Sequence, residues 1–421
     1  MSAARPFRSV LANRPLVTMA SGHFAVDMYS GTFPVMYPAL RSAYGLSLAD
    51  VGLVALAYTA ASSLSQPIFG MIADRYGTRW IGFTQIWCAV LFATIGFAPS
   101  YPMLLVLAGL AGLGSGAFHP MGAMEASALA APDQANISMS MYVSAGTIGF
   151  ALGPVIGAVI LWLFGLHGTL LMLVPGITIG SYLLRVMRRR PDAPVRKRVS
   201  RGARAAVPVG LVGIVVAVMM LRQVPVVGVE SFLPTWYAEL GYSSAFYSTL
   251  ATVMVLSSAV GSLGVGQFAD RFGRRTVILV TMTMTIPAVW AFITFPGPWA
   301  FLFGAMIGFL ASSSGPLLLL MAQQLMKGSA GMASGLILGF GFISGGIAVP
   351  VLGAAADASS IPAALYGLLG VVALSLAVAW FLPGEACVRT VMERREEESR
   401  SAEFGAEHPV PAAAGTGPQP L

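Results

Sequence analysis

The sequence predicts an all-α membrane protein of twelve transmembrane helices, arranged as two pseudo-symmetric halves of six helices each. Three observations carry this prediction: a strongly apolar composition, a motif that occurs twice, and a one-sided placement of basic residues. Of the 421 residues, 56% are hydrophobic and 10% are charged, whereas about a quarter of the residues in a soluble domain are charged. The composition therefore excludes an ordinary soluble domain.

The chain repeats itself at a fixed distance. The segment GMIADRYGTRW at Gly70–Trp80 returns as GQFADRFGRRT at Gly266–Thr276, 196 residues later. The same distance separates Pro120 from Pro316. Self-similarity at a fixed period in an apolar chain is typical of a transporter built from internal repeats.

The apolar stretches are long enough for twelve membrane spans, since about 20 apolar residues cross a bilayer as a helix. The predicted spans are residues 15–40, 48–73, 80–98, 101–130, 138–166, 167–187, 206–238, 244–269, 276–295, 299–325, 331–356 and 361–383. The predicted organisation is a cytoplasmic N-terminus at 1–14, a six-helix bundle at 15–187, a basic linker at 188–205, a second bundle at 206–383 and a tail at 384–421. The tail is charged and then rich in Pro, Ala and Gly, which predicts disorder, with a short solvated helix over its ERREEESR run as the alternative.

Basic residues lie on one side of the predicted membrane. Of the 24 Lys and Arg residues, all but Arg41 and Arg222 fall at the N-terminus, in even-numbered connections or in the tail. The positive-inside rule therefore predicts that both termini and the linker are cytoplasmic. The net charge of +7 then reports topology and attraction to anionic membrane lipid, and no nucleic-acid partner is expected.

The repeated loop and the fifth span resemble a known family. Loops of the type G-x-x-x-D-R-x-G-R-R after the second and eighth helices resemble the signature of the major facilitator superfamily, although Thr78 departs from it in the first copy. The resemblance covers residues 15–383. The fifth span is similar to the Gly-Pro motif of that superfamily's antiporters through Gly149, Gly153, Pro154 and Gly157. Close packing by these small residues is an equally physical explanation.

Three short segments carry a narrower resemblance. They are similar to the fosmidomycin-resistance branch, whose members are regarded as proton-driven exporters of drugs or small metabolites. The segments are Ser21–Leu40, Gly112–Pro120, and Arg222 followed by Phe232–Pro234. The resemblance implies the major facilitator fold and a small-molecule substrate bound between the halves, with alternating access by rocking. It also implies a proton gradient as the energy source, without a cofactor.

The repeated loop is the predicted cytoplasmic gate. Its acids lie beside basic side chains at the membrane boundary, where charge-assisted pairs could close the gate and break on opening. The residues assigned to the gate are Gly70, Asp74, Arg75, Gly77, Arg79, Gly266, Asp270, Arg271, Gly273 and Arg274. The glycines allow a tight turn and close helix approach. A merely positively flanked turn is the alternative, but the double occurrence in register argues against it.

Ionisable residues inside spans are candidates for proton coupling or substrate contact, because a charge at bilayer depth is costly unless it is paired or hydrated. His23 and Asp27 are four residues apart in the first span and share a helix face. An Asp beside an imidazole can exchange a proton near neutral pH. A purely structural hydrogen-bonded pair is the alternative.

The seventh span contains Arg222 and Glu230. Arg222 keeps its charge, so it could bind an anionic substrate group or act as the counter-ion of Asp27; a fixed structural ion pair is the alternative. Aligning the first and seventh spans on their prolines places Arg222 opposite Gly22. Glu230 is either a cavity residue or a solvated group at the outer mouth.

The fourth span contains His119 and Glu125, which point about 120° apart on a helix and are not one site by spacing. The branch resemblance implies that His119 lines the cavity, with a histidine satisfied by a neighbouring carbonyl as the alternative. Glu125 is either a coupling acid or an interfacial group.

Several other functions lack the residues that they require. The chain has no P-loop, and its four histidines and two cysteines show no metal-ligand spacing. No nucleophile–base constellation is present, so no enzymatic activity is expected. The predicted function is export of a small drug or metabolite, an anionic compound being one option, in exchange for protons by a monomer in the bacterial inner membrane. Import by proton symport and a non-transporting receptor are the alternatives.

Overall fold

A bilayer offers no water to backbone groups, so a chain of this composition satisfies them within helices. The computed structural model describes residues 9–46, 48–189 and 207–407, and within these ranges the regular structure is helical throughout. The first half contains α1 (Arg14–Tyr44), α2 (Leu48–Tyr76), α3 (Ile81–Thr94), α4 (Tyr101–Leu129), α5 (Ala135–Phe164) and α6 (Leu173–Arg189). The second half contains α7 (Val209–Glu239), α8 (Ser244–Phe272), α9 (Arg274–Thr294), α10 (Trp299–Leu325), α11 (Ala330–Ala358) and α12 (Ile361–Ala379), followed by α13 (Glu385–Glu407).

Nine of the described helices, α4 to α12, are long and apolar enough to cross a membrane. A shorter apolar helical stretch at Ile81–Phe97 contains α3. The predicted count of twelve spans is therefore shown for nine helices and stays a prediction for α1, α2 and α3. Most of the predicted N-terminal segment at 1–14 and of the predicted linker at 188–205 lies outside the described residues.

The two halves meet mainly along two helix pairs, α2 with α11 and α5 with α8. Both pairs touch at the end of the bundle that carries the repeated loops, which we call the loop end. A Cβ atom built on Gly70 would lie 2.1 Å from the carbonyl oxygen of Gly331, and one on Gly335 would lie 2.4 Å from that of Gln66. Such backbone contact is what small residues permit between membrane helices. These contacts form the seam between the halves.

The tail differs from the sequence prediction over the part that the structure describes. Disorder was predicted for 384–421, but Glu385–Glu407 forms the helix α13, while residues 408–421 lie outside the described part. The overall charge of the segment suggested that it could not bury enough apolar surface. Val388 nevertheless packs into the core at 2% exposure, and Glu385 and Arg395 bond to the second half.

Candidate functional site

Three ionisable side chains of the first half meet in one buried group, which we call the Asp27 cluster: His23 and Asp27 of α1 and His119 of α4. Nε2 of His23 lies 3.2 Å from one carboxylate oxygen of Asp27, and Nε2 of His119 lies 3.0 Å from the other. The two histidines are 4% and 3% exposed, while the Asp27 side chain is 16% exposed. One carboxylate therefore bridges two buried imidazoles.

The second nitrogen of each imidazole fixes where its proton lies. Nδ1 of His23 is 2.8 Å from the carbonyl oxygen of Tyr142, and Nδ1 of His119 is 2.8 Å from that of Ser115. A carbonyl oxygen only accepts, so each Nδ1 carries a hydrogen and donates it. Each Nε2 of a neutral ring would then present a lone pair to a carboxylate oxygen, which is also an acceptor.

The Asp27 cluster therefore needs a cation at each short Nε2–carboxylate contact. A proton on Nε2 or on the carboxylate turns such a contact into a charge-assisted hydrogen bond. The three ligand-capable atoms also lie within 4.8 Å of one another, so the same donors could hold a metal ion. The sequence spacing gave no sign of this set, because His119 lies on a different helix. The direct contacts of 3.0 and 3.2 Å are ordinary hydrogen-bond distances.

Glycines of α5 allow α5 to pack closely against α1, the helix that carries His23 and Asp27. A Cβ atom on Gly149 would lie 2.0 Å from the carbonyl oxygen of Phe24, and one on Gly153 would lie 2.6 Å from that of Met28. Gly157 faces Thr32 in the same way. The small residues of the Gly-Pro motif therefore pack α5 directly against α1, which is the close-packing explanation of the pattern.

The structure adds residues to the site that sequence reasoning missed. A Cβ atom on Gly146 would lie 2.5 Å from Oδ2 of Asp27, so this glycine leaves room for the carboxylate. The ring of Tyr142 stacks on His23 with centroids 4.2 Å apart. From the second half, the ring of Phe342 lies 6.3 Å from that of His119 and is 43% exposed. Gly146 continues the small-residue spacing of α5 and could have been found from it.

Glu125 lies apart from the Asp27 cluster. It is buried and accepts a hydrogen bond from the hydroxyl of Thr78. Thr78 is the residue that departs from the repeated motif, and it belongs to the loop end. The structure therefore associates Glu125 with the first repeated loop, and its role as a coupling acid or an interfacial group stays a prediction.

Arg222 does not neutralise Asp27, so the predicted counter-ion role is wrong. Its guanidinium is buried in the second half and donates through Nε and Nη2 to the carbonyl oxygen of Ala311, at 3.2 and 2.8 Å. Nη1 donates to the sulfur of Met219 and to the side-chain oxygen of Gln223. The physical reason is that Arg222 has its hydrogen-bond acceptors within its own half, on α7 and α10.

The register between the halves also differs from the proline alignment. Helices α1 and α7 both contain 31 residues and are offset by 195 residues at both ends. This offset places Arg222 opposite Asp27 and not opposite Gly22. Glu230 lies farther along α7, is partly exposed, and has no hydrogen bond or ion pair within the described ranges.

At the loop end, both acids of the repeated motif reach across the seam. The carboxylate of Asp74 accepts hydrogen bonds from the backbone N–H groups of Gly331 and Met332, at 2.8 and 2.9 Å. These groups open α11, where the helix dipole favours an anion. Asp270 correspondingly accepts from the side chain of Asn136 in the first turn of α5. Each half thus holds the start of the other half's fifth helix.

The basic residues of the two loops are used differently from the predicted acid–base pairs. Arg274 forms two side-chain hydrogen bonds with Glu385 of α13, at 2.9 and 2.7 Å. Arg75 and Arg271 are exposed and lie over the rings of their neighbours in sequence, and Arg79 is also exposed. Across the seam the two motif acids therefore bond the starts of helices, Asp74 through backbone N–H groups of α11 and Asp270 through the side chain of Asn136.

Glycines serve two separate purposes in these loops. Gly77 and Gly273 have φ angles of +79° and +82°, a left-handed conformation that favours glycine. Gly70 and Gly266 instead lie where backbones from the two halves meet, since a Cβ atom on Gly266 would lie 2.7 Å from Cα of Ile137.

Comparison with known proteins identifies a family. The family model described as Major Facilitator Superfamily matches residues 19–349 and 215–415. The fosmidomycin resistance protein of Escherichia coli K12 is 28% identical over 362 residues, covering 82% of this chain and 87% of that protein. An uncharacterised transporter of this type from Bacillus subtilis 168, YfnC, is 26% identical over 412 residues, covering 92% and 99%.

A solved structure supports the fold independently. The proton:xylose symporter XylE superposes with a TM-score of 0.73 at 15% identity, covering 90% of this chain and 97% of that one. This similarity shows the fold alone. An all-α, multi-pass membrane architecture is thus supported by composition, helices and structural likeness together.

Proposed function

This chain belongs to the Major Facilitator Superfamily, and we propose that it exports a small drug or metabolite across the bacterial inner membrane in exchange for protons. Family membership makes it a transporter and not an enzyme. The direction, the proton coupling and the substrate are our proposal. We expect the exchange to be powered by the proton gradient without a cofactor.

One observation carries the proposal: two imidazoles with their Nδ1 hydrogens committed to carbonyl oxygens face a single carboxylate. Such a group has too few hydrogens for its contacts unless it binds protons from outside. Asp27 retains some exposure and would be the group that receives them. Loss of a proton would leave an acceptor facing an acceptor, which favours rearrangement of α1 against α4.

The seam supplies the second requirement of an exchanger, a closure that can open. By the positive-inside rule the loop end is cytoplasmic, so the described arrangement would be closed to the cytoplasm. Opening must break the bonds from Asp74 to α11 and from Asp270 to α5. We propose that protonation of the Asp27 cluster shifts the equilibrium between the closed and the open seam. Substrate would bind between the halves, beside Phe342.

A susceptibility screen of cells that overproduce the protein would identify a compound for transport assays. The screen would include fosmidomycin, because a relative is named for resistance to it, together with other phosphonates, organic acids and dyes. The compound to which the cells become resistant would then be used in radiolabelled form.

Everted membrane vesicles test the proposal directly. When respiration acidifies the lumen, an exchanger accumulates the labelled compound inside, whereas a symporter does not. Asp27→Asn keeps the shape of the side chain but cannot carry the charge, so acid-driven accumulation should be lost. Glu239→Gln is the control: it changes an exposed carboxylate outside the Asp27 cluster and should leave accumulation unchanged.

Two results would refute parts of the proposal. Acid-driven accumulation that survives in Asp27→Asn would remove the cluster from proton coupling. Accumulation that requires an alkaline lumen would establish import by symport, the alternative direction.

A further inference from the structure

The guanidinium of Arg222 carries a positive charge that no carboxylate within the described residues balances. Its acceptors are a carbonyl oxygen, an amide oxygen and a thioether sulfur, which are all neutral. A guanidinium has five N–H groups, so one hydrogen on Nη2 has no acceptor in the described part of the chain. A buried charge without an opposite charge is expensive. The surroundings therefore favour an anion.

A small cavity lies directly beside this guanidinium. Its volume is about 20 Å³, and helices α7, α9, α10 and α12 of the second half line it. A site of roughly 10–15 Å³ on this scale holds one water molecule, so the cavity has room for one small ion and not for a drug-sized molecule. Its polar lining residues besides Arg222 are Thr285, Ser314 and Ser375.

One of these hydroxyls is available to a ligand. Ser375 is 1% exposed, and its oxygen has no hydrogen-bond partner among the described residues. In contrast, Thr285 donates to the carbonyl oxygen of Thr281 and Ser314 to that of Ala311. The cavity thus combines an unbalanced cation with one unused buried donor.

We propose that this cavity binds a chloride ion, held by the Nη2 group of Arg222 and the hydroxyl of Ser375. The site is distinct from the Asp27 cluster, because every lining residue belongs to the second half. Chloride satisfies both unused donors and neutralises the guanidinium. The inference does not depend on the direction of transport or on proton coupling.

Thermal unfolding of the purified full-length protein in detergent tests the site. When gluconate keeps the ionic strength constant, the midpoint should rise with chloride concentration, and above the Kd it should rise linearly with the logarithm of that concentration, as binding to one site of the folded state requires. Ser375→Ala removes one neutral donor and should weaken chloride binding about 5-fold. Arg222→Gln should abolish the chloride response.

A matched serine separates specific binding from a general salt effect. Ser258 is also buried in the second half, but its hydroxyl already donates to the carbonyl oxygen of Met254. Ser258→Ala should therefore keep the wild-type chloride response. If Arg222→Gln fails to fold, the comparison of Ser375→Ala with Ser258→Ala decides the question alone.

The proposal is overturned if wild-type protein unfolds at the same temperature in chloride and gluconate. It is equally overturned if both serine variants respond to chloride as the wild type does, because the response then arises elsewhere. Bromide soaked into crystals should give an anomalous peak next to Arg222, and a water molecule there in the presence of bromide would contradict the assignment.

Discussion

The two halves carry opposite charges at equivalent positions. Asp27 of α1 and Arg222 of α7 correspond when the two helices are aligned at both ends. The acid is bridged by two imidazoles and keeps partial exposure, whereas the guanidinium is fixed on neutral acceptors. Their neighbours differ in the same sense, since His119 corresponds through the repeat to Gly315, against which the guanidinium lies.

This difference suggests a division of labour on one scaffold. A carboxylate between imidazoles can gain and lose protons, while an arginine keeps its charge at any physiological pH. In our proposal the first half therefore supplies the groups for proton coupling, while the second half has a permanent charge in its core. The seam, in contrast, repeats in both halves, because each motif acid bonds the start of a helix in the other half.

Removing an imidazole from the first half is expected to have the largest effect. His119→Gln can still donate one hydrogen bond to Asp27 but cannot accept a proton from water. Because proton transfer by a positioned side chain typically contributes about 100-fold or more, acid-driven accumulation in everted vesicles should fall by about that factor. His23→Gln should behave in the same way.

The control for these variants is a histidine outside the cluster. His167 contacts the ring of Phe97 and not the Asp27 cluster, so His167→Gln should transport normally. If His119→Gln keeps more than half of the wild-type rate, Asp27 carries the proton without His119. The functional difference between the halves would then rest on Asp27 alone.

The seam should give the next largest effect. A Cβ atom on Gly70 would lie 2.1 Å from the carbonyl oxygen of Gly331, so Gly70→Ala must push α2 away from α11. Overpacking of this kind costs about 1–3 kcal/mol, which shifts the closed-to-open ratio by about 5- to 150-fold. Spin labels at Tyr76 and Lys327 would report the change as a longer distance between the halves.

Gly264 provides the matched control on α8, the helix of the second half that corresponds to α2 through the repeat. A Cβ atom there meets nothing within 4 Å, so Gly264→Ala should leave the distribution of label distances unchanged. An unchanged distribution in Gly70→Ala would mean that the contact at Gly70 does not hold the seam.

The sequence predicted the scaffold better than it predicted the site. The repeat, the apolar stretches and the loop glycines report helix length and tight turns, which depend on nearby residues. The partners of Arg222 and of Arg274 depend on helix packing, and a one-dimensional register shifted by 5 residues assigned Arg222 to the wrong neighbour. The contact between Asp27 and His119 joins residues 92 positions apart, and no spacing rule reaches that far.

A substitution at Gly146 measures how tightly the first half packs around Asp27. A Cβ atom there would lie 2.5 Å from Oδ2 of Asp27 and 2.6 Å from Nε2 of His23. Gly146→Ala should therefore destabilise the protein by about 1–3 kcal/mol and reduce proton-driven transport. Gly213→Ala, where a Cβ atom meets nothing within 4 Å, should instead stabilise α7 by about 1 kcal/mol. Thermal unfolding of both variants measures the difference, and equal midpoints would show that the cluster adapts freely.

The smallest effect is expected where α13 packs against the loop end of the second half. Burial raises the pKa of Glu385, but the hydrogen bonds and charge of Arg274 outweigh it and hold that pKa below its ordinary value. A carboxyl with a lowered pKa contributes stability that is complete above its unfolded pKa, near 4.3, and is lost as the pH falls through the lower folded value.

Docking of α13 should therefore be constant from pH 7 to 5 and weaken only below about pH 4. Hydrogen–deuterium exchange of the backbone amides in α13 measures undocking. Because the Glu385 side chain is 41% exposed, water screens the pair, and Glu385→Gln should raise exchange in α13 only modestly at pH 7. Glu393→Gln, at an exposed position of the same helix, should leave exchange unchanged, and equal exchange in the two variants would show that packing of Val388 holds the helix without the ion pair.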